Sequence, residues 1–176
     1  MIFKETKLRG AFVIAVERLE DKRGFFARAF CQREFEERGL NTAVAQCNIS
    51  FNRRKGILRG MHFQAAPRSE AKLVRCTAGS IYDVIIDLRR SSPTFKQYFG
   101  IELSAGDGKL LYIPEEFAHG FQTLEDNTEV FYQMSQFYSS EHVLGVRWND
   151  PAFGIEWPAG ERTIIERDRT YPDFVS

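Results

Sequence analysis

KLVRCTAGSIYDVIIDL (Lys72–Leu88), followed shortly by QYFGIELSAGDGKLLYI (Gln97–Ile113), is the stretch that decides the fold. Its four apolar runs, Lys72–Cys76, Ile81–Leu88, Gln97–Leu103 and Lys109–Ile113, have strand length and are bounded by turn residues. Thr77-Ala-Gly-Ser80 makes a short turn between the first two. Ser104-Ala-Gly-Asp-Gly108 joins the last two, and its Asp107-Gly108 pair is a strong hairpin signal. Further out, Thr128–Met134 alternates as a strand does, while Pro151 and Pro158 punctuate a less regular C-terminal third. The clearest helical segment is Cys31–Leu40, which predicts a short helix near residues 31–39 with Gly39 placed to end it. Many short antiparallel strands and one helix describe an all-β sandwich, barrel or jelly roll. The βαβ alternation and glycine fingerprint of a dinucleotide-binding fold are missing, as is a P-loop.

A chain of 176 residues suits a single domain spanning 1–176 and can bury a substantial core. The 24 basic and 24 acidic groups cancel, which argues against broad attraction to nucleic acid or a membrane surface. An anionic ligand must therefore be held by a local cluster. The start, MIFKETKLRG, has no apolar targeting core, and no run approaches the length of a membrane span. Cys31, Cys47 and Cys76 are scattered without a CxxC, so reduced thiols in a cytoplasmic protein are the expectation.

The chain has only three histidines, and two lie in strand-like frames marked by glycine: His62 in ILRGMHFQ and His119 in IPEEFAHGF. A metal site of the jelly-roll type needs three or four converging ligands, commonly two from a His-x-His segment, and neither frame supplies that. Acid–base work is the better expectation, with no metal. A lone histidine on an apolar strand is usually a satisfied core residue, but here the neighbours argue otherwise. Lys72 falls ten positions after His62, expected on the adjacent strand and pointing into the same cavity. Tyr132 and Tyr138 offer phenols, and Arg23 and Arg59 offer charge for a phosphate group. Arg53-Arg54-Lys55 reads as a solvated strand edge, and His142, in the polar SSEH stretch, as a solvated surface residue.

Seven motifs occur in order: DxRGFF (Asp21–Phe26), Gln46 with Asn48, GxLRGxHFQ (Gly56–Gln64), the Lys72–Phe95 run, PxxFAHGF (Pro114–Phe121), FYQMSxFY (Phe131–Tyr138) and WNDPAFGIEWP (Trp148–Pro158). Together they resemble the dTDP-4-dehydrorhamnose 3,5-epimerase family over about residues 1–173. The resemblance implies a cupin jelly roll, a homodimer, and chemistry without a metal or organic cofactor. The implied substrate is a nucleotide-diphosphate 4-keto-6-deoxyhexose, with dTDP-4-dehydro-6-deoxy-D-glucose becoming dTDP-4-dehydro-L-rhamnose.

A C4 ketone acidifies the protons on C3 and C5, so they can be removed and returned without a cofactor. By resemblance His62 is the base; imidazole, with an ordinary pKa of roughly 6.5, is available in neutral form near neutrality. Asp168 would orient the imidazole, Lys72 would stabilise the enolate oxygen, and Tyr132 would return the proton from the opposite face. Arg23, Gln46, Asn48, Arg59, His119 and Tyr138 match positions that hold the sugar nucleotide. Four positions depart from the family pattern: Arg28 and Val143 stand where binding glutamates are expected, Arg167 where a lysine precedes the aspartate, and Glu70 in place of a glutamine. These leave open a single-centre epimerase or keto-isomerase acting on a related sugar, or a non-catalytic cupin that binds a sugar nucleotide.

Overall fold

The computed structural model describes residues 1–175. The first half of the chain runs β1 (Ile2–Glu5), β2 (Phe12–Ala15), β3 (Arg18–Asp21), β4 (Gly24–Ala27), α1 (Gln32–Glu36), β5 (Gln46–Asn52), β6 (Leu58–Gln64) and β7 (Lys72–Ala78). It continues with β8 (Ser80–Asp87), β9 (Tyr98–Ser104), β10 (Lys109–Ile113), β11 (Phe117–Thr123), β12 (Thr128–Met134), β13 (Val143–Gly145) and α2 (Glu166–Arg169). Six strands form one antiparallel sheet in the order β1-β2-β10-β7-β12-β5, and five form a second in the order β13-β6-β11-β8-β9. A separate hairpin, β3-β4, lies outside both.

Period-two alternation builds the interior. Val74, Cys76, Leu111, Ile113 and Val130 of the six-stranded sheet meet Ile81, Ile85, Leu103, Phe117 and Phe121 of the five-stranded one, all at most 4% exposed. Each large apolar side chain fully buried in this way contributes roughly 1.5–3 kcal/mol. The outer face of the six-stranded sheet is capped by α1, whose Phe35 packs with Ile14, Leu73, Leu110 and Tyr112. The irregular C-terminal segment covers the other outer face, with Val146, Phe153 and Trp157 over Met61, Val84, Ile86 and Ala118. The all-β, jelly-roll expectation holds.

Two local expectations need correction. Asp107-Gly108 does not close a hairpin, because β9 pairs with β8 while β10 pairs with β2 and β7 in the other sheet. The Asp107 carboxylate instead accepts the Lys109 and Ser104 backbone N–H groups at 2.8 and 3.3 Å, turning the chain across the sandwich. Thr77–Ser80 likewise carries β7 into a different sheet from β8. The helix expected over Cys31–Leu40 is α-helical only at Gln32–Glu36. Gly39, at φ +67°, then closes the turn, with its N–H bonded to Glu36 O at 2.9 Å and the Leu40 N–H to Phe35 O at 3.1 Å. A second helix, α2, was not expected at all; four residues are too few for a readable period.

At one place the neighbouring strands β6 and β11 of the five-stranded sheet nearly touch. A Cβ on Gly60 would lie 2.5 Å from the Gly120 Cα, and Gly60 is held at φ +128°. The β6–β11 register shifts just there, with His119 opposite His62 but Phe121 opposite Arg59. Gly60→Ala is accordingly expected to lose stability by several kcal/mol, on the order of the larger core substitutions. A urea midpoint unchanged from the parent would contradict this.

Candidate active site

A cavity of about 700 Å³ opens between the two sheets. Its wall includes Arg59 and His62 from β6, Lys72 from β7, His119 and Phe121 from β11, Tyr132 from β12, and Arg167 and Asp168 from α2. Strand alternation explains why polar groups reach it. The face of β7 that buries Val74 and Cys76 also carries Lys72, and the face of β12 that buries Val130 also carries Tyr132. Lys72 thus shares the cavity with His62 as expected, but from the facing sheet and not from a neighbouring strand.

His62 and Asp168 form the closest polar pair, with Nε2 to Oδ1 at 2.7 Å. Asp168 is 1% exposed. Its Oδ2 accepts the Gly60 backbone N–H at 3.1 Å, and its Oδ1 also accepts the Arg167 Nε–H at 3.1 Å. The Arg167 Nη2 lies 3.0 Å from His62 Nε2 as well. Nε2 cannot both donate to the carboxylate and accept from a guanidinium. The shorter contact to a charged acceptor assigns the proton to Nε2, which leaves Nδ1 as the basic nitrogen.

Burial pushes the Asp168 carboxyl upward, but its bonds to His62, Gly60 and Arg167 outweigh this and hold it below its ordinary 3.8. A carboxyl lowered in the folded state stabilises the fold above the unfolded pKa, and that stability is lost as pH falls through the lowered folded value. Between pH 6 and pH 3, Asp168→Asn should therefore lose less stability than the parent. Parallel losses in urea titrations at the two pH values would contradict the assignment.

Lys72 is 7% exposed and Glu70 also 7%. The Lys72 Nζ donates to Glu70 Oε1 at 2.9 Å and to the His62 carbonyl at 3.3 Å. Tyr132 sits on the next strand, in register with Asn48 on one side and Val74 on the other. Burial raises the pKa of its phenol; Arg59 opposes this and Glu70 adds to it, with a net upward direction. The phenol is thereby kept protonated. Arg59 is held by Asn52, whose Oδ1 accepts its Nε–H at 2.8 Å. His119 Nε2 contacts Asp83 Oδ1 at 2.6 Å, and both are buried.

Gln46, Asn48 and Tyr138 are not among the residues lining the cavity; Gln46 and Asn48 lie on β5, where their amides reach the Met134 sulfur at 3.7 and 3.0 Å. Tyr138 is tied to them through its backbone N–H, which donates to Gln46 Oε1 at 2.8 Å. Arg23 is not in this cluster: it occupies the tip of the β3-β4 hairpin and pairs with Asp21 at 2.5 Å. Arg53, Arg54 and Lys55 are exposed as expected. His142 departs from the solvated reading, being half-buried with its Nδ1 2.8 Å from Ser139 Oγ. Sequence reasoning missed Tyr171, whose ring stands edge-on to His62 at 6.3 Å. It also missed Asp83 as the partner of His119. An apolar strand interrupted by an aspartate, IYDVIID, was the available signal for the latter. Among the described residues, no group of three or more His, Cys, Asp or Glu is arranged to hold a metal ion.

Known proteins similar to this chain point to one family. The family model for dTDP-4-dehydrorhamnose 3,5-epimerase matches residues 5–176. A relative of that name from Shigella flexneri is 40% identical over 172 residues, covering 97% of this chain and 94% of its own. The crystal structure of an Elizabethkingia anophelis dTDP-4-dehydrorhamnose 3,5-epimerase superposes with a TM-score of 0.96 at 37% identity, covering 99% and 96% of the two chains. A Legionella pneumophila 3,5-epimerase solved in complex with dTDP-4-keto-L-rhamnose superposes at 0.89 with 34% identity, covering 95% of this chain and 89% of that one.

Proposed function

This chain belongs to the dTDP-4-dehydrorhamnose 3,5-epimerase family, and we propose that the cavity around His62 is where it inverts C3 and C5 of a dTDP-linked 4-keto-6-deoxyhexose. The observation that carries the site is the convergence of His62, Asp168, Lys72 and Tyr132 on one cavity from its two facing sides. His62 Nδ1 takes the proton from the carbon beside the ketone, with Asp168 holding the ring and balancing the imidazolium. The electron pair moves onto the C4 oxygen, where the Lys72 ammonium stabilises the enolate. Tyr132 gives a proton to the same carbon from the other side, and return of the ketone completes one inversion. His62 then releases its proton to solvent and the Tyr132 phenolate takes one up, which restores both groups for the next carbon; no net oxidation occurs, so the cycle balances without a cofactor.

Arg59, His119, Gln46, Asn48 and Tyr138 are assigned to the sugar nucleotide, Arg59 being suited to a phosphate oxygen. Mixing the protein with dTDP-4-keto-6-deoxyglucose in D2O tests the reading. Deuterium at both C3 and C5, with L-rhamno product, is expected. Uptake at one carbon alone would make the protein a single-centre epimerase, and no uptake would make it a binder.

Arg23 fits the same ligand only if it reaches another copy's cavity, so a homodimer belongs to this reading. Exposed apolar surface supports it. Leu19, Phe25 and Phe26 on the β3-β4 hairpin are 69%, 55% and 72% exposed, and Ile49 and Phe51 on the edge strand β5 are 65% and 51% exposed. Light scattering at micromolar concentration should give about twice the 20.3 kDa chain mass; a monomer mass would overturn it. A cytoplasmic location fits the three free cysteines, and no helix among the described residues is long and apolar enough to cross a membrane.

A further inference from the structure

We propose that Glu70 is a positioning residue for the reaction, fixing the Lys72 ammonium so that one of its N–H bonds faces the cavity. The proposal rests on the reading of Lys72 as the enolate-stabilising group. An ammonium has three donors. One goes to Glu70 Oε1 at 2.9 Å and one to the His62 carbonyl at 3.3 Å. Two fixed directions determine the third, which is left for a ligand oxygen.

Packing does not explain a carboxylate at position 70. The side chain is almost wholly enclosed, and Oε2 is buried with no hydrogen-bond partner among the described residues. A buried charged oxygen without a donor is costly, and a glutamine of the same shape would occupy the space with less charge to desolvate. The offsetting gain lies in the pair with Lys72. A long, flexible lysine side chain otherwise samples many rotamers, and an enolate-stabilising donor works only when it stands in place before charge develops. Through the His62 carbonyl, the same ammonium also ties the strand carrying the base to the strand carrying the electrophile.

Three variants at position 70 separate the contributions. Glu70→Gln keeps an acceptor oxygen for Nζ, Glu70→Met keeps the volume without an acceptor, and Glu70→Ala removes both. Glu70→Met and Glu70→Ala should lower kcat and C–H exchange in D2O together by tenfold or more, with KM for the sugar nucleotide within threefold of the parent. Glu70→Gln, which keeps the acceptor without the charge, should fall between the parent and Glu70→Met. Should Glu70→Ala fail to fold, Glu70→Met gives the decisive reading. Parent-like turnover in Glu70→Met, or a loss appearing in KM alone, overturns the proposal. Lys72→Met serves as the reference: if it retains exchange, the reading of Lys72 itself fails, whereas loss of exchange there with normal Glu70 variants removes only the role of Glu70.

Discussion

Replacing His62 with alanine is expected to lower turnover by about 10²–10⁴-fold, the usual cost of removing a general base, and to abolish deuterium uptake at C3 and C5. The fold should survive, since the imidazole is about a quarter exposed and leaves no large void. Its loss does strip Asp168 of its 2.7 Å partner. That carboxylate still has the Gly60 N–H and the Arg167 guanidinium to satisfy it. Melting within a few degrees of the parent is therefore expected beside near-complete loss of exchange. Both results are needed, because an unfolded variant would be inactive for an uninteresting reason. Parent-like exchange in a folded His62→Ala protein would show that another group removes the proton. His119 would be the next to test, because it stands opposite His62 on β11 with its own carboxylate partner, Asp83.

Tyr132→Phe separates removal of a proton from its return. His62, Lys72 and Asp168 remain, so enolate formation and some solvent exchange should persist. Delivery from the other side fails, so inverted product should fall by about 10²–10⁴-fold while the exchanged carbon mostly keeps its configuration. Tyr132 also packs against the apolar core, and a purely structural tyrosine would behave differently. Loss of a hydroxyl without a catalytic task would cost about 1 kcal/mol of stability and leave epimerisation intact. Deuterium analysis of recovered substrate and product tells the two apart. Fully inverted product at the parent rate would remove Tyr132 as the acid and turn attention to Tyr138 or Tyr171.

Strand content was legible because short apolar runs are bounded by turn residues; β12 spans Thr128–Met134, as its alternation suggests. Which strands pair was far less legible. Asp107-Gly108 is a local signal, and a short turn can close a hairpin or step between sheets depending on partners remote in sequence. For β9 and β10 those partners are β8 on one side and β2 and β7 on the other. The site divides in the same way. Lys72 and Tyr132 follow from alternation along strands whose apolar members are obvious. Asp168 does not, being 106 positions from His62 on a helix of four residues; only resemblance supplied it. Glu70 was legible as a departure from the family pattern, but not its ion pair, which depends on how the loop entering β7 folds inward.

The placement of the reacting groups in two facing sheets gives the separation of those sheets a chemical meaning. His62 belongs to the five-stranded sheet and Lys72 and Tyr132 to the six-stranded one. With the roles proposed above, the sandwich would act as a calliper on a flat intermediate, one jaw taking the proton and the other replacing it. The jaws are set by the apolar pile of Val74, Phe121, Ile85 and Val130, none of which carries reactive chemistry. Thinning that pile, as in Phe121→Leu or Val130→Ala, would alter how far each jaw stands from the ring before it altered any catalytic side chain. The signature would be a loss of stereochemical fidelity, with exchange outrunning inversion, in a protein whose acid and base are both still present.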